Sequence, residues 1–477
     1  MDSIDRQGRT MDLLISDRRE ARVTARGQAP AVNRPVPAHR RRALRAADAL
    51  LLLAGLGLVV TVALAVRSES LGSLTAPGGW ATAAGRLTGL VGTYLMLVVL
   101  VLVARVPWLE RAVGLDRVIA WHRALGPWPI VLVAAHAALL TVGYAAAGDS
   151  GVLHQAWVFV TQYPNVLAAT VALGLLVLAG LTSWRHVRRR LAYETWWAVH
   201  LYTYLAMALA FAHQLTAGAA FVAEPAARLW WSAMWALGVG AVVVFRFGLP
   251  LYRSVRHGLR VVAVRPEGPG LVSVVVRGRD LDRLGVRGGQ FFQWRFLRRG
   301  LWWQAHPYSL SALPRRDHLR VTVKALGDHS AGLAHLPIGT RVAIEGPYGI
   351  LTDEVRTTDR VLLVGGGVGI TPLLALLEDL PDGTDTSVVL RAHTTDDLAH
   401  QGEVVAHVER LGGRLHTLVG PRQQAPVDTD TLRRLVPDVA ARDVYVCGPQ
   451  SLIDAVRTAA RELGVPDRRV HVESFTF

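Results

Sequence analysis

The sequence predicts a two-part protein: a six-helix transmembrane bundle, then an antiparallel β-barrel and an α/β, Rossmann-like nucleotide domain. Three observations predict it. Residues 46–248 are dominated by Leu, Val and Ala, whereas residues 251–477 alternate short apolar runs with charge and Gly/Pro punctuation, as water-soluble α/β proteins do. The 477 residues exceed what one compact domain usually holds. Histidines recur in pairs inside the apolar half, as His122/His136 and His200/His213. The expected divisions are a tail over 1–45, a membrane half over 46–250, a barrel over 251–352 and a nucleotide domain over 353–477.

The formal charge of +15 is partly located in the tail, which has eleven Arg against five Asp/Glu and its densest run at His39–Arg42, just before the first apolar span. That placement suits anionic lipid, each basic residue near the surface contributing about 1 kcal/mol. An equally weighted reading is a disordered stretch whose charge only enforces topology. No nucleic-acid motif accompanies the charge, so membrane lipid, not nucleic acid, is the expected partner. No obligatory protein partner is inferable. The single cysteine, Cys447, excludes an intrachain disulfide. The first apolar stretch, which follows the Arg-rich tail, is expected to be a retained helix.

Six apolar spans can be drawn, at 48–66, 87–104, 124–147, 166–183, 195–213 and 229–246. Several approach the length of about 20 residues that a bilayer core requires, and Trp or Arg flanks the shorter ones. Basic residues cluster after span two (Arg105, Arg111, Arg117, Arg123), after span four (Arg185, Arg188, Arg189, Arg190) and after span six (Arg246, Arg253, Arg256), while the alternate loops nearly lack them. The positive-inside bias then puts both termini and the soluble half in the cytoplasm of a multi-pass plasma-membrane protein.

On this topology His122 and His200 lie near the cytoplasmic ends of spans three and five, and His136 and His213 lie deeper. A rise of 1.5 Å per residue separates the members of each pair by about 20 Å, giving two levels with one imidazole from each helix. A metal is the economical partner for facing imidazoles in lipid, and a bis-imidazole haem is large and apolar enough to sit between helices. The phases agree less well. His122 and His136 are about 40° apart on an ideal helix, but His200 and His213 are about 140° apart, so the fifth span deforms or the two groups are approached from different azimuths.

The soluble half opens with short strands, LRVVAVRPE, LVSVVVRGR, GQFFQWRF, LRVTVKAL and RVAIEGPYG, spaced as in a small antiparallel barrel. Lys324, Gly327, Asp328 and Ser330 mark a strand running into a helix start, where exposed N–H groups suit a pyrophosphate and where a plain capped helix would look identical. From residue 359 strands and helices alternate. The strand Arg360–Val364 enters a turn containing Gly365, Gly366, Gly367, Gly369, Thr371 and Pro372, whose glycines would let a dinucleotide phosphate approach the backbone. Arg391 and Arg422, near the ends of the next two strands, could reach a 2′-phosphate, and no acidic residue ends the second strand, so NADPH is favoured over NADH.

The His-x13-His and His-x12-His pairs resemble the ferric-reductase/NADPH-oxidase transmembrane family over about residues 85–477. The resemblance implies two stacked b-type haems, the inner on His122 and His200 and the outer on His136 and His213. It implies an FAD site on His306-Pro307-Tyr308-Ser309, similar to the flavin strand of ferredoxin reductases, with Tyr308 on the isoalloxazine and Ser309 near its N5. By the same resemblance Cys447, in Cys447-Gly448-Pro449, flanks the nicotinamide, Phe477 covers the flavin, and Arg86 stands beside the outer haem. Leu140 replaces a histidine that many oxidases carry four residues after the outer ligand.

The expected function is therefore transmembrane electron transfer from NAD(P)H through FAD and two haem b groups to O2, giving superoxide. Reduction of ferric or cupric chelates by the same path is the alternative, and a haem-binding sensor or assembly partner is a distant one.

Overall fold

The computed structural model describes residues 38–67, 69–217 and 225–474; the Arg-rich stretch before residue 38, Glu224 and Phe477 lie outside the described residues. Its first half is helical: α1 (Ala38–Arg67), α2 (Gly79–Val103), α3 (Pro107–Val113), α4 (Leu115–Leu125), α5 (Pro127–Ala147), α6 (Val166–Ser183), α7 (Tyr193–Ala217), α8 (Pro225–Ala241) and α9 (Leu249–His257), with shorter helices between some of them. In hydrocarbon every backbone polar group needs an internal partner, which a helix supplies along its length.

Five described helical runs are long and apolar enough to cross a membrane: Ala47–Arg67, Gly79–Val103, Arg117–Ala147, Val166–Ser183 and Pro225–His257. The expected fifth span corresponds to α7, which has the length but is not among these five. Glu194, His200, Thr203, His213 and Gln214 make it more polar than its neighbours. Part of that polarity is satisfied by packing, since the indoles of Trp231 and Trp235, both buried, donate to Gln214 Oε1 at 2.7 and 3.1 Å.

Two further differences have local causes. Of the two alternatives that the sequence phases leave, deformation of α7 or approach from different azimuths, the first does not occur: α7 is continuous, and an interruption falls between α4 and α5 at Gly126. Pro127 has no N–H to offer the carbonyl of Arg123, so the ladder breaks there. The sixth span extends beyond its expected end, because a π-helical segment, Val242–Gly248, carries α8 into α9. Gly258, with φ of 57°, stops α9 and turns the chain into β1.

The antiparallel half comprises β1 (Arg260–Gly268), β2 (Leu271–Arg277), β3 (Phe291–Phe296), β4 (His306–Ser309), β5 (His318–Lys324) and β6 (Val342–Tyr348). The barrel that strand spacing predicts is drawn as two three-stranded sheets, β1-β2-β5 and β4-β3-β6, touching through bridges at Arg260–Arg341 and Leu310–Val321. They share one core, in which Val274, Phe292, Trp294 and Leu319 are buried.

The last layer is a parallel sheet in the order β11-β10-β7-β8-β9, from β7 (Arg360–Gly366), β8 (Asp385–Ala392), β9 (Arg414–Val419), β10 (Asp443–Gly448) and β11 (Val470–Ser474). Helices α10 (Ile370–Asp379) and α11 (Gln450–Glu462) follow β7 and β10. The order reverses between β7 and β10, so the crevice outside their carboxyl ends is the topological switch point. Arg320 joins this layer to β5 through a two-pronged pair with Glu403, both contacts at 2.7 Å.

Asp443 fixes the entrance to the sheet. Fully buried, it accepts the Thr357 and Thr358 N–H groups at 2.9 and 2.7 Å and pairs with His471 at 3.0 Å. Burial alone would raise this carboxyl, but His471 and the two amides hold it below the usual range. Its contribution is present above an ordinary Asp value of about 3.9 and is lost as the pH falls through the lower folded value. Asp443→Asn should cost about 2 kcal/mol at neutral pH, or roughly 4–8 °C in a thermal melt of the whole protein, with the gap from the unaltered chain narrowing below about pH 4.

Candidate functional site

His122 and His200 are close neighbours across two helices, and His213 lies on the same side of the bundle as His136. The His122 and His200 rings are 6.1 Å apart and inclined at 78°. Two metal–nitrogen bonds of about 2 Å each plus the half-widths of two imidazoles span about that distance. His213 lies within electrostatic range of His136. The Nδ1 atoms of His122, His200 and His213 are buried without a hydrogen-bond partner, so the bare chain does not satisfy these rings.

His136 is more completely built. Its Nδ1–H donates to the Gly85 carbonyl at 2.8 Å, which fixes the tautomer and leaves Nε2 available as a ligand. The ring fits there because α2 carries Gly89 beneath it: a Cβ at Gly89 would lie 2.4 Å from Nδ1. At the other level Trp196 stacks on His200, the rings 5.2 Å apart at 23°. The sequence reading omitted Gly85, Gly89 and Trp196. The four-residue spacing of the two glycines, which puts small residues on one helix face, was the available signal.

Arg86 sits next to Gly85 and is held by Glu69, whose Oε1 accepts from Nη1 at 2.9 Å. Its pairing tempers the positive charge that a lone Arg86 would bring to this end of the bundle.

In the antiparallel half, β4 presents His306, Pro307, Tyr308 and Ser309. The Tyr308 carbonyl accepts from Trp294 Nε1 at 3.0 Å, and its hydroxyl is hydrogen-bonded to His329 Nδ1 at 3.1 Å. Burial raises the phenol's pKa. His329, which lies in the turn after β5, packs its ring 3.7 Å from that of His306; burial, and then His306, lower its pKa to about 4. Both imidazoles are thus neutral at physiological pH, and two adjacent ring faces flank the tyrosine. Sequence reasoning passed over His329 because its neighbours matched a pattern and it did not.

Of the expected phosphate residues, Ser330 Oγ accepts the Leu326 and Gly327 N–H groups at 2.9 and 3.1 Å, capping the short helix Asp328–Gly332. Lys324 Nζ is paired with Asp397 at 3.2 Å, on the seam between the two soluble layers.

The Gly-rich turn and the Cys-Gly-Pro segment meet at the switch point. A Cβ at Gly369 would come 2.2 Å from the Cys447 carbonyl, and one at Gly366 would come 2.5 Å from Leu452. Gly367 adopts φ of 55°, which favours glycine. Thr371 donates to the Val368 carbonyl at 2.9 Å and, like Pro372, is buried in the start of α10. Gly365 pairs in register with Cys447, while Gly448 and Pro449 lead into α11. Arg391 lies within β8, not beyond it, and donates to the Ala392 and Gly420 carbonyls. Burial and neighbouring Arg422 lower its pKa, so two guanidiniums share a site that an anion would relieve. Arg422 itself donates to the Ser451 carbonyl at 3.2 Å.

Comparison with known proteins accords with this division. Residues 88–211 match the ferric reductase like transmembrane component, and residues 363–458 match the oxidoreductase NAD-binding domain. The chain is 30% identical over 224 residues to the 3-ketosteroid-9-alpha-monooxygenase ferredoxin reductase component of Mycolicibacterium smegmatis, covering 45% of this chain and 63% of that protein. It is 29% identical over 208 residues to a Xylella fastidiosa flavohemoprotein, covering 40% of this chain and 51% of that one. The chain thus spans between half and just under two thirds of these curated relatives. The flavohem-like-FAD/NAD binding domain of nitric oxide dioxygenase from Vibrio cholerae aligns with a TM-score of 0.40 at 22% identity, covering 46% of this chain and 98% of that domain.

The protein is a membrane oxidoreductase. Its architecture is of the ferric-reductase/NADPH-oxidase type, a ferric-reductase-like transmembrane component joined to a ferredoxin-reductase-like FAD/NAD-binding half.

Cys447 offers a direct check on the switch point. Complete burial, with the Glu473 charge adding to it, pushes the thiol well above its ordinary range. The native protein should resist iodoacetamide at pH 8 and react at its single thiol once denatured. Rapid alkylation of the native chain, read by mass spectrometry, would contradict the packing of Gly369 on β10.

Proposed function

We propose that the chain carries electrons from cytosolic NADPH across the membrane to O2 on the far side, by way of FAD and two b-type haems. The division of labour is a membrane half over 46–250, a flavin layer over 251–352 and a nucleotide layer over 353–477, all but the first on the cytoplasmic side. The observation that carries the reading is the pair of histidine levels, with His136 oriented by Gly85 and seated over Gly89.

The residues present fit these groups. His122 with His200 would hold the inner haem and His136 with His213 the outer, each pair contributing one imidazole from each of two facing helices. Bound FAD would accept a hydride from the nicotinamide and release electrons singly to haem iron, which shuttles one at a time. The protein's own part is placement. Gly85 sets the His136 tautomer, Trp196 orients His200, and Trp294 holds the Tyr308 backbone so that its ring can face a flavin. Ser309 would stand near the flavin's reactive nitrogen and Cys447 beside the nicotinamide, with Phe477 as the covering aromatic. Lys324, Gly327, Asp328 and Ser330 would border the flavin pyrophosphate, although Ser330 and Lys324 already have intramolecular partners. Gly365, Gly366, Gly367, Gly369, Thr371, Pro372, Gly448 and Pro449 would shape the crevice for the second dinucleotide.

Arg391 and Arg422 favour NADPH, because two like charges held together gain from a phosphate between them. Reduction of a ferric or cupric chelate is the second reading for the acceptor, favoured by Glu69, which offsets the charge of Arg86.

The unaltered protein should bind about two haem b per chain with a six-coordinate low-spin spectrum, and His136→Ala or Gly89→Val should leave about one. An unchanged haem content in Gly89→Val would refute the seat assigned to His136. Arg422→Ala should weaken NADPH by roughly tenfold to a hundredfold and leave NADH little changed; equal effects on both would remove the 2′-phosphate role. Acceptor choice is decided by comparing superoxide-dismutase-sensitive dye reduction in air with Fe(III)-chelate reduction under argon. Fast chelate reduction with negligible superoxide would overturn the oxidase reading.

A further inference from the structure

Where the helical half meets the β4-β3-β6 sheet, five polar side chains converge. Arg105, in the turn between α2 and α3, adopts φ of 63°, uncommon for a side chain of its size. Its guanidinium stands between two carboxylates, 3.7 Å from Glu110 on α3 and 3.6 Å from Glu345 on β6. Arg246, in the π-helical segment, donates to Glu345 at 2.7 Å, and the Tyr348 hydroxyl donates to the same oxygen at 2.8 Å. Arg105 also lies over the Tyr348 ring, 4.9 Å from its centre. Glu110 is the exception: its side chain is 5% exposed, yet neither carboxylate oxygen has a hydrogen-bond partner.

These groups span both halves of the protein. Arg105, Glu110 and Arg246 belong to the helical part, and Glu345 and Tyr348 to the sheet. Tyr348 pairs in register with Phe291, which pairs with Ser309, so the contact lies two strands from the proposed flavin strand. On the other side Tyr204, one turn beyond His200, feels the charges of Arg246, Arg105 and Glu345. The cluster is therefore placed between the sheet that would carry the flavin and the helix that would carry the inner haem.

We infer that Glu110 is a protonation-controlled positioning residue: with its proton it leaves Arg105 and Arg246 both to Glu345 and keeps the sheet docked, and without it Arg105 is drawn back and the contact loosens. The charge count gives the direction. With Glu110 neutral, Arg105 and Arg246 both face Glu345, while Arg111 and Arg253 line the same junction and Arg253 donates to the Gly346 carbonyl. With Glu110 ionised, the positive charge of the helical side falls by one and a second carboxylate confronts Glu345. Burial first, and then the Glu345 charge, push Glu110 from an ordinary value near 4.5 up to about 7, while Arg105 and Arg246 pull the other way. Tyr348 faces the same charges. Helices α1 and α4, which also pack on α3, carry Arg45, Asp48, Arg117 and Arg123, and none is hydrogen-bonded to Glu110 among the described residues. The part of that rise that comes from Glu345 exists only while the sheet is docked, so its contribution to docking is present at low pH, where Glu110 holds its proton. That contribution is lost as the pH rises through about 7.

The inference rests on the proposed function only for its consequence, electron delivery to the inner haem; the docking itself can be measured without it. Hydrogen exchange of peptides covering residues 342–348 in the full-length protein, corrected for the intrinsic pH dependence, reads the opening equilibrium. From pH 5.5 to pH 8 protection should fall roughly tenfold, the change in an equilibrium that one unit of pKa difference produces. Glu110→Gln should keep the low-pH protection at pH 8, and Glu345→Gln should lose it at both. Haem reduction in Glu110→Gln should lose its dependence on pH over the same range, with NADPH-driven flavin reduction unchanged. An unaltered protein without the fall, or a Glu110→Gln variant that follows it, overturns the inference. Should Glu110→Gln not fold, a pH-dependent fall persisting in Glu345→Gln overturns it as well. If NADPH reduces no flavin, the proposed function fails while the exchange result still decides the role of Glu110.

Discussion

The helical half is organised by one constraint: an imidazole placed inside an apolar bundle must have a partner for each ring nitrogen. At His136 one partner is the Gly85 carbonyl, and the contact exists only because Gly89 has no side chain. That requirement brings α2 against α5 and puts Arg86 beside the site, where Glu69 holds it. At the other level Trp196 stacks on His200, and His122 approaches from α4. The Nδ1 atoms of His200 and His213 are buried without a hydrogen-bond partner. Two haems would complete them and account for the polarity of α7, otherwise a liability in a membrane.

The soluble layers obey a different constraint, that dinucleotides need backbone approached closely at a strand end. Gly366 and Gly369 let the turn after β7 lie directly on β10, so that Cys447, Gly448 and the Gly-rich turn share one crevice. Asp443 and Arg320 secure that layer at its entrance and to the antiparallel sheets. The Arg105–Glu345–Arg246 cluster and helix α9, through Arg253 and Ser254, join the β4-β3-β6 sheet to the bundle.

Much of this was legible in the sequence because the signals are periodic or local. The apolar spans follow from composition, the strands from alternation, and the switch-point turn from Gly365–Gly369. The histidine levels follow from depth, while helix phase leaves open deformation of α7 or approach from different azimuths and does not point to the break at Pro127. Long-range partners were not legible. Nothing near Arg86 in the sequence selects Glu69, nothing near Ser330 shows that its hydroxyl is already engaged, and Glu110 becomes notable only when Arg105 and Glu345, 240 residues apart by their numbering, converge beside it. Alternation specifies the six strands without specifying their closure, which here falls to the bridges Arg260–Arg341 and Leu310–Val321 between two three-stranded sheets.

The central claim is that electrons cross the membrane while the nicotinamide stays on one side. Sealed vesicles with the soluble halves outward, supplied externally with NADPH and FAD and loaded with an impermeant one-electron acceptor, test it directly. Reduction of the trapped acceptor, abolished in His136→Ala and dependent on external NADPH, is the predicted result. Reduction only of an external acceptor, or an equal rate inside in His136→Ala, would contradict transfer through the two histidine levels.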